Sequence, residues 1–426
     1  MKRYFLIRTV LICFLVFFLE RTLQKSAHVS CNWSKWETWG KEAKPFHIAL
    51  VADPQLVDQQ SYNRHGIFNT LTELFTDTHL RRHWRLMHKV LKPDMTIFMG
   101  DLLDSGRDLS DIMYDQEVSR FRKVFDASLA SRVEYLPGNH EMGFGNGVSY
   151  ANVKRYEQYF GPTSKVIDAG NHTLVFLDGI RLSNNKDPAV YEPAREFLES
   201  FQPMRTGLYP RILLGHVPLY RPPNTYCGQM REIGTALEIN GGYQYQNVLD
   251  SQLSEHILEK LEPVAAFAGD DHDYCEVSHE YMDFFSKRHT IIERNVKSLS
   301  IAMKVRKPGY QLISLYYPNY NDDLHSDTGL QTKLCLVPSQ LYIYIFYGVI
   351  AGVFFLYSLI ANYRLSKQMR TLLPLYDPKI HVSQKKRFKL YGKQCLALTR
   401  LASAELLKNG AAPLVLFCFL FILDSK

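Results

Sequence analysis

The sequence predicts an α/β fold of stacked β-sheets flanked by helices, with transmembrane helices added outside that core. Three observations predict it. Short apolar runs alternate with longer amphipathic stretches through the middle of the 426 residues. Five of those runs stop at a turn that carries a metal-binding residue type. Apolar segments with little or no charge lie on both sides of this middle region.

Residues 47–52 read as the first strand, and 80–91 as a helix stopped by Pro93. Residues 95–99 form the next strand. Residues 110–130 are largely helical, with Ile112, Met113, Phe121, Val124, Phe125 and Leu129 making a core-facing stripe. A strand at 133–136 follows, then a hairpin over 165–180 that turns at Gly170-Asn171. A helix at 192–201, a strand at 212–214, a helix at 251–261 and a strand at 264–268 continue the alternation. Residues 296–317, interrupted at Pro308-Gly309, read as a closing hairpin.

The run-closing segments are Asp53-Pro54-Gln55, Gly100-Asp101-Leu102-Leu103-Asp104, Gly138-Asn139-His140-Glu141, Gly215-His216 and Gly269-Asp270-Asp271-His272-Asp273. One such segment arises by chance, whereas five in series point to a two-metal phosphoesterase. Two divalent ions about 3.5–4 Å apart clamp the attacking and leaving oxygens of a displacement at phosphorus. A carboxylate bridging both ions is the simplest way to hold them that close. Oxygen and nitrogen donors suit hard or borderline ions. Asp104 and Glu141 read as turn-holding neighbours, and Asp271 or Asp273 could exchange roles with Asp270.

These segments resemble the calcineurin-like metallophosphoesterase superfamily, whose pattern is DxH, GDxxD, GNH[DE], GH and GHxH in this order. The resemblance covers residues 46–280 or so. It implies a metallophosphoesterase-type fold in which Asp53 and His272 bind one metal, Asp101 bridges both, and Asn139 and His216 bind the other. His140 would be the catalytic histidine. Gln55 and Asp270 stand where the family has histidines and would still serve as ligands. Both changes enrich the site in oxygen, which moves the expected pair of divalent ions from zinc toward manganese. Asp53-Pro54-Gln55, GHVPLYR at 215–221 and GDDHDYC at 269–275 look like one membrane-bound subfamily. That subfamily removes ethanolamine-phosphate branches from a mannose of glycosylphosphatidylinositol (GPI) anchor glycans, supporting export of GPI-anchored proteins from the endoplasmic reticulum. The resemblance implies a phosphodiesterase whose substrates are GPI-anchored proteins or the GPI glycolipid, with cargo-sorting proteins of ER exit as further partners. Two alternatives stand beside it: a phosphoesterase acting on a phospholipid or another phosphate ester, and a non-catalytic protein that binds GPI-linked cargo. Tyr220, Arg221 and Arg231, in the long aromatic segment 220–247, are the expected substrate-binding residues, with a structural flap as the competing reading.

The net charge of +7 is not a nucleic-acid signal, because the basic residues concentrate in 364–408, against only Asp377 and Glu405. A basic run beside an apolar segment follows the positive-inside rule. The expected domains are a signal anchor at 1–22, a lumenal catalytic domain at 46–330, a transmembrane helix at 341–361, a basic cytosolic segment at 364–410 and a third membrane segment at 411–423, with spanning and re-entrant readings both open. A cleaved signal peptide would resemble the first of these. Its poor cleavage region favours an uncleaved anchor, which together with the basic segment places the catalytic domain in the lumen of the endoplasmic reticulum. Asn32 and Asn171 begin glycosylation triplets. Cys31, Cys227, Cys275 and Cys335 would face an oxidising lumen, with three pairings open. Trp33, Trp36 and Trp39 read as interfacial anchors, with glycan binding as the competing reading.

Overall fold

The computed structural model describes residues 2–62, 66–204, 209–242, 245–317, 329–372, 396, 400, 401, 404, 407 and 410–424. Most of the basic segment, together with His65 and Tyr243, lies outside them. The chain divides into a unit spanning Lys25–Pro338 and an apolar unit made of Met1–Gln24 and Ser339–Asp424.

In chain order the strands are β1 (Phe46–Val51), β2 (Met95–Phe98), β3 (Val133–Tyr135), β4 (Lys165–Ala169), β5 (His172–Phe176), β6 (Arg211–Leu214), β7 (Gly241–Gly242), β8 (Tyr245–Gln246), β9 (Ala265–Ala268), β10 (Cys275–Met282), β11 (Arg288–Asn295), β12 (Gly309–Leu315) and β13 (Leu330–Leu336). One sheet runs β13-β12-β1-β2-β3 and the other β10-β11-β9-β6-β5-β4, with β7-β8 a separate ribbon. Within the sheets β1, β2 and β3 are parallel, as are β5, β6, β9 and β11.

The pleat explains why these strands are apolar on both faces. Ile48, Leu50 and Ala52 point between the sheets and pack with Ile97, Phe176, Leu214 and Phe267. Ala49 and Val51 point outward to Leu80, Trp84 and Met87 of the helix Ile67–Val90. On the far side, Val175, Leu213 and Ala266 belong to the same outer cluster as Val190, Leu198 and Ile257, from the helices Pro188–Glu199 and Ser251–Leu261. The layers are therefore helix, sheet, sheet, helix, the stacked α/β class that the sequence predicts.

Several elements differ from expectation. The helix expected at 80–91 begins at Ile67; its first turns lie outside the core-facing stripe that marks a helix in the sequence, because their Ile67, Phe68, Leu71 and Leu74 are exposed. The helix expected over 110–130 ends at Val124, and Asp126 then caps a short turn by accepting from Ser128 N at 2.9 Å. The closing hairpin is wrong in its partner: β12 pairs with β13 and β1, while 296–308 is irregular and is drawn to the functional site. The hairpin β10-β11 has no counterpart in the sequence reading. Trp33 is not an interfacial anchor; it stacks on His47 with ring centroids 4.0 Å apart and donates to Leu91 O at 2.7 Å.

Cysteine pairing is settled as Cys31–Cys335 and Cys227–Cys275. In the apolar unit, Gln340–Arg364 is the helix long and apolar enough to cross a membrane among the described residues, and Gly410–Asp424 is a shorter apolar helix. Polar groups there pair with one another: Arg21 meets Asp424 at 2.6 Å, and buried Glu20 accepts from Tyr347 Oη at 3.0 Å.

Three buried histidines join the helix Gln24–Ser30 to the helix Ile67–Val90. His28 Nδ1 lies 2.8 Å from Tyr310 Oη, and its Nε2 lies 3.0 Å from His83 Nδ1. His79 packs edge-on against His83. Burial lowers His28 to about 4 and His79 to about 3, and pushes His83 well below its usual value. All three are neutral in the fold, while the unfolded chain titrates near 6.5 and binds more protons below that pH. Stability should therefore fall as pH drops from about 6.5 toward 4. The melting temperature of the detergent-solubilised protein should decline across that window, with a shallower slope in His79→Leu; identical slopes contradict this reading.

Candidate metal centre

The carboxyl ends of β1, β2, β3, β6 and β9 lie at one end of the two sheets, and each of the five motifs begins there. The chain leaves these strands sharply. Asp53 (φ 46°), Gln55 (φ 34°), Asp101 (φ 51°), Asp270 (φ 65°) and His272 (φ 63°) all have left-handed backbones. Each such residue costs on the order of 1–3 kcal/mol, and such strain gathers at functional sites. The first two loops are laced together by Gln55 N donating to Asp101 O at 2.9 Å and Leu56 N to Leu102 O at 3.1 Å.

Asp101 is the hub. Its Oδ2 accepts from Gln55 Nε2 at 2.8 Å. Its Oδ1 accepts from His140 N at 3.0 Å and lies 3.3 Å from His216 Nε2. Asn139 Oδ1 is 3.2 Å and Asp270 Oδ1 3.6 Å from the same His216 nitrogen. Asp53 Oδ1 accepts from Asp270 N at 3.0 Å. Glu141 ties the loops together behind them, accepting from Leu102 N, Leu103 N and Gly138 N at 2.8–2.9 Å.

The donor set fits a metal. His216 Nδ1 donates to Met99 O at 2.7 Å, which leaves the Nε2 lone pair facing three oxygens. A bare lone pair there would be repulsive, so this nitrogen must bind a cation, either a proton or a metal ion. Among the described residues no hydrogen-bond donor meets the buried Asp53 Oδ2 or Asp270 Oδ2, an arrangement that is costly without such a cation. Ligand atoms of Asp53, Asp101 and His216 lie within 4.8 Å of one another and form the candidate metal site. The charges agree. Burial pushes Asp53 well above the usual carboxylate range, against the pull of His216. Burial acts on Asp101 in the same sense, but His140 and His216 outweigh it and hold Asp101 well below that range. Burial alone would lower His216, yet Asp101 and Asp270 raise it well above the ordinary imidazole value.

His140 lies on the open side of this centre. Its Nδ1 donates to Asp104 O and its Nε2 is 3.8 Å from Asp101 Oδ2. Burial lowers its affinity for a proton, and the Asp101 charge more than reverses this. His272 shares the field of Asp101 and Asp270, and burial lowers it.

The flanking aspartates are used elsewhere. Asp271 pairs with Arg231, and Asp273 accepts from Lys297 Nζ, Glu232 N and Ile233 N, each at 2.8 Å. Asp270 is thus the one of the three whose carboxylate meets the other motif residues.

The expected substrate-binding arginines are structural. Arg221 is buried and donates to Glu293 Oε2 at 2.6 Å and Asn295 Oδ1 at 3.2 Å. Arg231 is held by Asp271 and Ile233 O. Tyr220 is half-buried, its backbone N donating to Ser254 Oγ. Residues 220–242 form a flap whose Cys227 and Leu237 pack with Val248, Cys275 and Val277. Sequence reading also missed Lys297, wholly buried between Asp273 and Glu232, and Ser298, whose Oγ donates to Asp53 O at 2.7 Å. Neither stands at a motif spacing.

The family model for calcineurin-like phosphoesterase matches residues 46–274, which span all five motifs. The chain belongs to the calcineurin-like phosphoesterase family. It is 41% identical to Cell division control protein 1 of Saccharomyces cerevisiae over 345 residues, 79% of this chain and 70% of that one. It is 25% identical to Metallophosphoesterase 1 of Ailuropoda melanoleuca, covering 76% and 87% of the two chains. A solved dimetal phosphatase from Danio rerio overlays with a TM-score of 0.38 at 12% identity, covering 64% of this chain and 94% of that one. Within this calcineurin-like phosphoesterase, Ser298 reaches Asp53 of the centre, and Lys297 reaches Asp273 beside it, from beyond the matched residues.

Gly138 is the tightest position. A Cβ there would lie 2.0 Å from Asp101 Oδ1. Gly138→Ala should displace that carboxylate and cost roughly hundredfold in phosphoesterase activity, as misplacement near 1 Å does. Metal content should fall with it, while the far-UV circular dichroism stays unchanged. Undiminished metal and activity would show that the carboxylate is not held as described.

Proposed function

We propose that this chain is a metal-dependent phosphodiesterase that removes an ethanolamine-phosphate branch from a mannose of GPI-anchor glycans. The observation that carries the hydrolytic part is Asp101, a buried carboxylate reached at once by Gln55, His140 and His216. One carboxylate so placed suits two divalent ions. Asp53, Gln55, Asp270 and His272 would complete one metal's ligands, and Asn139 and His216 the other's. The oxygen-rich set favours manganese. Bound metals supply Lewis acidity toward the phosphoryl oxygens and activate water. The chain contributes position and a proton. His140 gives its Nδ1 hydrogen to Asp104 O, so its Nε2, 3.8 Å from Asp101 Oδ2, would carry the proton that the leaving mannose oxygen needs. Such general-acid help is worth roughly 10²–10⁴-fold.

The GPI assignment rests on the departures at Gln55 and Asp270 and on the GHVPLYR and GDDHDYC segments. A lumenal location in the endoplasmic reticulum is supported by two disulfides in the catalytic unit, which suit an oxidising compartment. Asn171, exposed in the β4-β5 turn, is a glycosylation acceptor on this reading. The basic segment is then cytosolic, and the product is a remodelled anchor ready for ER export.

Asp101→Ala should lose both metals and all turnover; two ions retained in that variant would refute bridging. His140→Ala should keep its metals and lose turnover on the glycan diester. The loss should be smaller on an aryl phosphodiester, whose leaving group needs no proton. Mass spectrometry of GPI glycans from cells lacking the protein should show one additional ethanolamine phosphate. Unchanged glycans with altered phospholipids would replace the GPI reading with a lipid substrate.

A further inference from the structure

We infer that the metal-site end of the catalytic unit rests on a lipid bilayer, with the first two turns of the helix Ile67–Val90 immersed in its interface. The helix connects the carboxyl end of β1 to the start of the parallel strand β2, so its amino end stands at the metal-site end of the sheet. Tyr62 Oη, just before it, donates to Ala302 O in the segment 296–308 that meets the centre. On those turns Ile67 (69% exposed), Phe68 (71%), Leu71 (41%) and Leu74 (40%) face away from the core. They recur at the spacing of one helical stripe. The polar side chains of the same turns bond within the helix: Asn69 donates to Glu73, Thr70 to Gly66 O and Thr72 to Phe68 O. The flap adds Met230 and Ile233, both exposed, beside the Asp271 and Asp273 contacts.

Four large exposed apolar side chains on one helix face call for a partner, and the chain's path points to lipid. Both ends of the catalytic unit leave at this same end. Leu336 is paired with Gly309, whose strand runs antiparallel to β1 and begins level with the metal site. His28, three residues inside the other exit, bonds Tyr310 next door. Two residues beyond Pro338 begins Gln340–Arg364, the apolar helix of membrane-spanning length. A linker that short leaves the catalytic unit little reach from a bilayer. The opposite end of the sheets supplies a control. Phe284 (70% exposed) and Phe285 (69%) crown the β10-β11 hairpin, whose eight-residue strands place them roughly 25 Å from the metal-site end.

The proposal extends the membrane-bound reading above, and its first test needs no substrate. The full chain is reconstituted in phosphatidylcholine liposomes containing a phospholipid with a photoreactive acyl chain, irradiated, and its adducts are mapped by peptide mass spectrometry. Adducts within 67–74 and none at Phe284 or Phe285 are expected. Adducts at the aromatic pair, or at neither place, overturn the assignment even if the enzyme hydrolyses GPI glycans. The second test is the triple variant Ile67→Ser, Phe68→Ser, Leu71→Ser. It should lose roughly tenfold or more on a liposome-embedded diester while keeping its activity on a soluble aryl phosphodiester, because three apolar side chains no longer partition into the interface. Equal losses on both substrates would mean that the face serves the fold and not the bilayer.

Discussion

Three buried carboxylates, Asp53, Asp101 and Asp270, are gathered around the single imidazole of His216. Two like charges 4 Å apart repel by about 4 kcal/mol even at an effective dielectric of 20. Bonds between the motif loops, through Gln55 N, Leu56 N and Glu141, hold the group only because the loops themselves are anchored. The restraint comes from the strands beneath, whose residues 48–52 are fully buried on both faces of the sheet. Left-handed turns at Asp53, Asp101 and Asp270 throw the side chains back over the strand ends. Glycines at 100, 138 and 269 clear the space that His216, Asp101 and Asp53 fill. The two-sheet core is thus the platform on which an otherwise repulsive cluster is kept in register.

The fifth motif does two jobs with alternating residues. Asp270 and His272 face the centre, while Asp271 and Asp273 grip the flap through Arg231, Lys297 and the backbone of Glu232 and Ile233. Cys227–Cys275 fixes the flap again two residues further on. A displacement of the flap would therefore be felt at the metal ligands next to it in sequence. Burial raises Asp271 to about 6 despite its arginine partner, so this grip is itself sensitive to desolvation.

Much of the centre was legible because each ligand type stands at a strand's end, and strand ends are marked by apolar runs closed with glycine. Helix and strand placement followed where one face is buried, as in 47–52 or 251–261. It failed where burial comes from distant partners. The strand Gly309–Leu315 is buried on both faces, so its alternation could not say whether it pairs with 296–307 or 330–336. The amino-terminal half of the helix Ile67–Val90 escaped notice because its apolar residues face outward. Arg221 and Arg231 looked like ligand-binding residues because a sequence cannot show that Glu293 and Asp271 stand opposite them.

The bridge from Cys31 to Cys335 joins positions 304 residues apart, one near each end of the catalytic unit. It makes nearly the whole unit a closed covalent ring, from which the chain departs on both sides of a single clasp. A protease that cuts once anywhere inside the ring leaves every piece attached. A cut in one of the two departing segments leaves the other intact. A chain nicked once between these two cysteines therefore migrates as one species until the bridge is reduced, and as two afterwards.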